Sequence, residues 1–170
     1  MDKLTEIAVQ LAKLSEQLNA LVASMDPALN DSNINIYERA LMHIVAREGK
    51  KFTVYLDSLG KPTVGVGHLV KPEDNLKIGD TISASTAHNF LQNDALIAFE
   101  AATSQLNELG LNSTDFLIAL TSVNFQLGTG WTKKFPKTWA LIKQQRYEEA
   151  AKEAAKSVWY AQTPVRVKDF

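Results

Sequence analysis

The chain has 170 residues and no cysteine. That rules out a disulfide framework and any thiolate metal site, but it does not locate the protein, since cysteine-free chains occur in every compartment. A strong net charge is missing too: 18 basic residues against 19 acidic ones give −1 at pH 7. No nucleic-acid partner is assigned. Long apolar runs are also absent. The most regular apolar segment, at the N-terminus, is broken by charges and amides every few residues, so it is not transmembrane. It lacks the basic n-region, unbroken apolar core and compact cleavage site of a secretory signal. Its near-zero charge argues against a cationic membrane-disrupting helix. Neither internal repeats nor low-complexity tracts appear. His43 and His88 are too isolated to suggest metal ligands, and no metal or cofactor is expected.

What is present describes a soluble globular protein, with 45% hydrophobic and 22% charged residues. The length suits one domain, or one domain with two lobes. Charge is unevenly spread. Residues 126–170 hold nine basic and four acidic side chains, a balance of +5 that leaves −6 for the remainder. A basic C-terminal portion suits an anionic polymer, and equally an ordinary solvated helix with Glu–Lys pairs. At the other end Leu4, Ile7, Leu11, Leu14, Leu18, Leu21 and Met25 alternate spacings of three and four. This is a heptad seam over about three heptads, with Lys3, Glu6, Lys13, Glu16 and Gln17 on the polar face. Three roles fit residues 4–25: packing back on the domain, self-association as a coiled coil, or docking on another component. Residues 26–33, rich in Pro, Asn and Asp, read as a linker.

The chain is organised around residues 47–68, REGKKFTVYLDSLGKPTVGVGH. Tyr37, Leu41, Ile44 and Val45 line one face of a helix, capped by Asn33 or Asn35, that leads into this stretch. Gly49 offers a left-handed stop. Glu48 then sits at the negative end of a helix dipole, where the protonated carboxyl is favoured. Residues 53–56 and 63–66 read as the strands of a hairpin around the turn residues 58–62. Asp57 and Thr63 fall at the two ends of that turn. One helix-terminal carboxyl, one hairpin carboxyl and one hydroxyl can thus face a common cleft. Two carboxyls in contrasting environments are what glycosidic bond cleavage needs: one to protonate the leaving oxygen, the other ionised to activate water or stabilise positive charge. Gly65-Val66-Gly67 is not a phosphate loop, because neither a helix-opening Gly nor a Lys-Ser/Thr pair follows.

Glu48, Asp57 nine residues on, Thr63 six further, and the closing Gly65-Val66-Gly67-His68 together resemble the active-site signature of the phage-type lysozymes, glycoside hydrolase family 24. Phe125-Gln126-Leu127-Gly128 and the segment from Trp159 to Arg166 look like further segments of that family, in order. The resemblance implies that Glu48 is the general acid and that Asp57 and Thr63 hold and activate the attacking water. It implies that Gln126 lines the cleft, that Arg166 pairs with Glu48, and that His68 and Asp94 form a buried, structural salt bridge. It does not extend to the N-terminal heptads, and the chain ends sooner after Arg166 than the family pattern leads one to expect. The N-terminal helix could cover the surface those further residues would cover.

The rest of the chain reads as mainly helical. Residues 69–81 are irregular and could complete the sheet of the small lobe. Ser83 or Ser85 opens a long helix with Phe90, Leu91, Asp94, Ile97, Ala98 and Ala101 in register, ending near Gly110. Asn112-Ser113-Thr114 caps a helix whose Phe116, Leu117, Leu120, Val123 and Leu127 make it a buried central element. Gly128-Thr129-Gly130 breaks the chain. Helices follow around residues 138–145 and 147–160, and Thr163-Pro164 would start another. Trp139 and Trp159 read as core residues; for Trp131, beside a Gly-rich turn, core packing and sugar stacking both stand open.

The expected fold is α+β and predominantly α: a small β-hairpin lobe at about 50–82 and a helical lobe at about 83–170, within a lysozyme-like domain spanning 34–170. The resemblance implies a muramidase. It would cleave the β-1,4 bond between N-acetylmuramic acid and N-acetylglucosamine in bacterial peptidoglycan, by an inverting attack, to lyse the cell wall. Synthesis in a host cytoplasm would require a holin or virion delivery to bring it to the periplasmic substrate. Two other classes compete. A virion- or scaffold-mounted wall-binding protein would have no need of all three of Glu48, Asp57 and Thr63. A lytic transglycosylase would rely mainly on the acid.

Overall fold

A computed structural model describes the backbone of residues 27–157 and the side chains from residue 36. The N-terminal heptads, Trp159, the Thr163-Pro164 start and Arg166 lie outside the described residues. The chain divides into compact units at 1–36 and 37–170; the first helix below begins in the first unit, and every later element lies in the second.

The first described helix, α1, spans Pro27–Val45, so it runs through the stretch read as a linker and begins well before Asn33 and Asn35. The physical reason is the position of the proline. At the first turn of a helix its missing N–H costs nothing and its fixed φ is already helical, so Pro27 starts the helix instead of breaking it. At the other end, the amides of Arg47 and Glu48 both donate to the Ile44 carbonyl, at 3.0 and 3.1 Å. This tight last turn closes α1 without a left-handed residue, and Gly49 is not among the glycines with positive φ.

A three-stranded antiparallel sheet follows, ordered β1 (Lys51–Leu56), β2 (Pro62–Gly65), β3 (His68–Leu69). Tyr55 faces Thr63 across the hairpin, and Thr63 faces Leu69 on the other side. The irregular segment does complete this lobe, through β3 and a bridge between Thr53 and Thr81.

The long helix α2, Ala84–Glu108, is capped by Ser83, whose hydroxyl accepts from the Thr86 amide at 3.0 Å. Its buried face is small: Ala87, Ala95, Ala98 and Ala102 alternate with Leu91 and Leu106. Alanine there lets α3, Thr114–Leu127, lie close along α2. Ser113 caps α3, and Leu120 and Val123 fill the interior as the apolar run predicts. Three short helices finish the described chain: α4 (Trp131–Lys134), α5 (Pro136–Lys143) and α6 (Tyr147–Ala155).

Trp131 is fully buried and therefore unavailable to stack on a sugar. Its indole N–H donates to Gln105 Oε1 at 3.2 Å. Gln105 and Asn124 exchange reciprocal amide bonds of 3.1 and 2.8 Å, and Asn124 also donates to the Leu120 carbonyl. One polar network thus joins α2, α3 and α4 inside an apolar lobe, with each of these amides partnered. Asn124→Leu should cost about 1–3 kcal/mol in urea unfolding, because it leaves Gln105 buried without its partner. Adding Gln105→Leu should restore part of that loss. If the double variant instead falls by the sum of both single changes, the two amides do not act as a pair.

Candidate active site

The sequence-predicted acid is half-buried just beyond the C-terminal turn of α1. What holds it is a packed cluster: Ile44 from α1, Val66 from the turn between β2 and β3, and Leu91 and Ala95 from α2, with Tyr37, Leu41 and Phe125 against them. The turn works because Gly65 and Gly67 both take left-handed φ, +67° and +79°. This lets Val66 point into the core while the backbone of Gly67 lies open beside Glu48. A Cβ at Gly67 would come within 3.8 Å of both Glu48 Oε2 and Phe125 Cε1. The bare backbone of Gly67 thus leaves open space beside the carboxyl.

Asp57 is fixed differently. Its Oδ1 accepts from the amides of Leu59 and Lys61, both at 2.8 Å, while its own N–H donates to the Lys61 carbonyl at 2.9 Å. The residue thus builds the hairpin turn with its backbone and one carboxylate oxygen. Thr63, across the turn, is buried on β2, and its hydroxyl donates to the Lys61 carbonyl at 3.2 Å. Tyr55 connects the set. It pairs with Thr63 across the sheet, and its phenol is held above the ordinary range, first by burial and then by the nearby charges of Glu48 and Asp57. Glu48, Asp57 and Thr63 are thus brought to one neighbourhood around the hairpin. Gln126 stands half-buried in the last turn of α3, next to Phe125.

His68 and Asp94 do meet, with Nδ1 2.6 Å from Oδ2. The sequence reading missed a third member. Asp74, in the short 3₁₀ turn Pro72–Asp74, places Oδ2 3.1 Å from His68 Nε2 and also accepts from the Lys71 amide at 2.7 Å. Pro72 and Asp74 had signalled only a turn. The signal available was a carboxylate six residues from a histidine, in a turn short enough to fold back on it. Phe90 of α2 stacks on the imidazole, centroids 4.0 Å apart and 10° from parallel. Lys71 Nζ lies 3.9 Å from Asp94 Oδ1 at the edge of the cluster. Burial disfavours the imidazolium, but the two carboxylates outweigh it, and the His68 pKa is raised. Burial likewise opposes ionised Asp74, and the Lys71 amide and His68 outweigh it, so its pKa is lowered.

No group of His, Cys, Asp and Glu that could hold a metal ion is found among the described residues. None of their helices is long and apolar enough to cross a membrane.

With that geometry in place, comparison with known proteins gives a direct match. The family model "Phage lysozyme" matches residues 45–166. The chain belongs to the phage lysozyme family. The match begins at the last residue of α1 and takes in Glu48, Asp57, Thr63, His68, Asp94 and Gln126, ending on Arg166. Among the relatives is Probable T4-type lysozyme 2 of Dictyostelium discoideum, 30% identical over 141 residues, covering 70% of this chain and 83% of that protein. Peptidoglycan hydrolase gp36 of Pseudomonas phage phiKMV is 28% identical over 123 residues, which is 72% of this chain but only 14% of that longer protein. The Endolysin of Salmonella phage P22 is 34% identical over 96 residues, 56% of this chain and 64% of that protein.

Two outcomes follow for this lysozyme-family domain. Gly67→Ala meets no hard clash but forces alanine to φ near +79°, and should cost about 1–2 kcal/mol. Its methyl would also fill the space beside Glu48 at van der Waals distance, so turnover should fall by more than the stability loss explains; equal turnover in the folded fraction would show that the Gly67 gap is idle. The second outcome concerns pH. The folded His68 pKa lies above its unfolded value, so its contribution is complete below about pH 6.5 and fades as pH rises through the folded value. The folded Asp74 pKa lies below its unfolded value, so its contribution is present above about pH 4 and is lost as pH falls through the folded value. Asp74→Asn should therefore lower stability by about 1–2 kcal/mol near pH 6, with the deficit shrinking at alkaline pH as His68 deprotonates. Unfolding curves of both proteins across pH measure this, and a deficit independent of pH would remove the ion pair as its cause.

Proposed function

We propose that this domain is a peptidoglycan hydrolase that cleaves the β-1,4 bond between N-acetylmuramic acid and N-acetylglucosamine. The observation that carries the reading is the convergence of two carboxyls and a buried hydroxyl on one hairpin, with Tyr55 under the influence of both carboxylates. Family membership supports the same chemistry, and the names of relatives, an endolysin and a peptidoglycan hydrolase among them, point to the cell wall as the substrate.

In this mechanism Glu48 protonates the glycosidic oxygen as the bond lengthens. The bare backbone of Gly67 leaves room for a sugar to approach that carboxyl. Asp57, anchored through Oδ1, has its second oxygen to accept a proton from water. The Thr63 hydroxyl already donates to the Lys61 carbonyl, so it meets that water as an acceptor. Two acceptors on one water orient a lone pair toward the anomeric carbon, on the face opposite the departing oxygen. The product is then inverted. Gln126 contacts the glycan or the water, and Arg166 pairs with Glu48. No metal or organic cofactor takes part. The site of action is the bacterial cell wall, reached through holin-dependent release or delivery with a virion. Residues 4–25 provide self-association or a dock for a virion or host partner.

Purified peptidoglycan digested by wild type and by Glu48→Gln, with mass analysis of the products, tests the assignment. Reducing-end muropeptides from wild type and a loss of at least about a thousandfold in the variant are expected. Anhydro-muramyl ends would replace the hydrolytic step by transglycosylation. Binding without cleavage would make the domain a wall-binding module.

A further inference from the structure

Lys51 opens β1, three residues after Glu48, and is exposed. Its ammonium rests 4.1 Å from the centroid of the Tyr55 ring. Tyr55 stands opposite Thr63, so the two side chains share one face of the sheet. The same phenol lies within reach of the charges on Glu48 and Asp57. The Lys51 cation is thus seated beside the groups to which bond cleavage is assigned. It is absent from the ion pairs of the described residues. An aromatic face positions an ammonium without neutralising it. A carboxylate partner would position it too, but would also cancel its charge and occupy its N–H donors. Lys50, its neighbour, offers a contrast. Its ammonium lies 5.3 Å from the centroid of Phe52, a ring with no partner in the β1–β2 register.

An ammonium at the edge of a glycan site, held on a ring and outside the ion pairs of the described residues, can take an anion from the substrate. The glycan strand of peptidoglycan presents hydroxyls and acetamido groups, which are neutral. Its anionic groups are the carboxylates of the short peptides it carries. We propose that Lys51, held on Tyr55, is a specificity residue that binds a stem-peptide carboxylate of the substrate and favours walls in which those carboxylates are free. This rests on the reading of the domain as a peptidoglycan hydrolase and names the part of the polymer it reads beyond the sugars.

The test uses the full chain on two preparations of one peptidoglycan, native and with its stem carboxylates converted to amides. Wild type should cleave the native wall about tenfold faster, the worth of one charge-assisted hydrogen bond at an open site. Lys51→Met keeps the apolar stem on the Tyr55 ring and removes the charge, and should bring the native-to-amidated ratio close to one. Lys51→Arg, which keeps the charge, should retain most of the preference, and Lys50→Met should retain all of it. Thermal unfolding of each variant confirms that the folded protein is what is being compared. If Lys51→Met keeps the wild-type ratio, or Lys50→Met loses as much as Lys51→Met, the proposal is overturned, because the preference then lies elsewhere or in general charge. A wild type that cuts neither wall overturns the hydrolase reading, and this inference with it.

Discussion

The site depends on how Val66 is buried. Its side chain joins Ile44, Leu91 and Ala95, and it can do so only because the glycines on either side adopt left-handed backbone. That single anchoring fixes two directions at once. Toward the N-terminus it packs the end of α1 against the sheet, which sets the height of Glu48 above the hairpin. Toward the C-terminus it delivers His68 to the surface of α2, where Asp94 and Phe90 receive it. The acid at the end of α1 and the structural clamp on β3 thus share one packed cluster, and a change in the core beneath Val66 would be felt at both.

Polar groups are used sparingly and in two distinct ways. Within the helical lobe, Gln105, Asn124 and Trp131 form a neutral network whose value lies in its completeness: each amide is partnered, and the helices can settle in only one relative position. At the boundary of the sheet and α2, charge does the work. His68 takes a carboxylate on each ring nitrogen, and the imidazolium survives burial because two anions oppose the cost of desolvation. Around the proposed reaction site the arrangement is looser and more exposed, with backbone amides, a phenol and a lysine as neighbours of the carboxylates.

Much of this was legible in the sequence because the decisive signals are local. The hairpin was written in β-formers flanking Ser58–Pro62, the capping serines Ser83 and Ser113 precede apolar runs, and the spacing of Glu48, Asp57 and Thr63 singled out residues that meet around that hairpin. The misses share a cause. Pro27 and the polar residues after it have weak local preferences, and a proline that breaks a helix in its middle begins one at its end. Gly49 looked like a stop, but the Ile44 carbonyl had already taken both closing amides. Trp131 beside two glycines suited core and cleft alike; it is buried, with its indole bonded to Gln105, twenty-six residues earlier in the chain. Asp74 belonged to a turn by composition and to an ion pair by geometry. Contacts set by tertiary packing leave little trace in neighbouring residues.

Asp57 carries a final consequence. One of its oxygens holds the hairpin closed, and the other takes no part in those turn bonds. An asparagine in its place could keep the oxygen facing the Leu59 and Lys61 amides and present an NH₂ group outward. The turn would keep its shape while the group assigned to water lost its charge. A lengthened side chain such as glutamate would do the reverse, preserving charge and spoiling the turn. Evolution therefore has a short path from a wall-cutting domain to a wall-holding one of the same shape: a single atom exchanged at the tip of one hairpin.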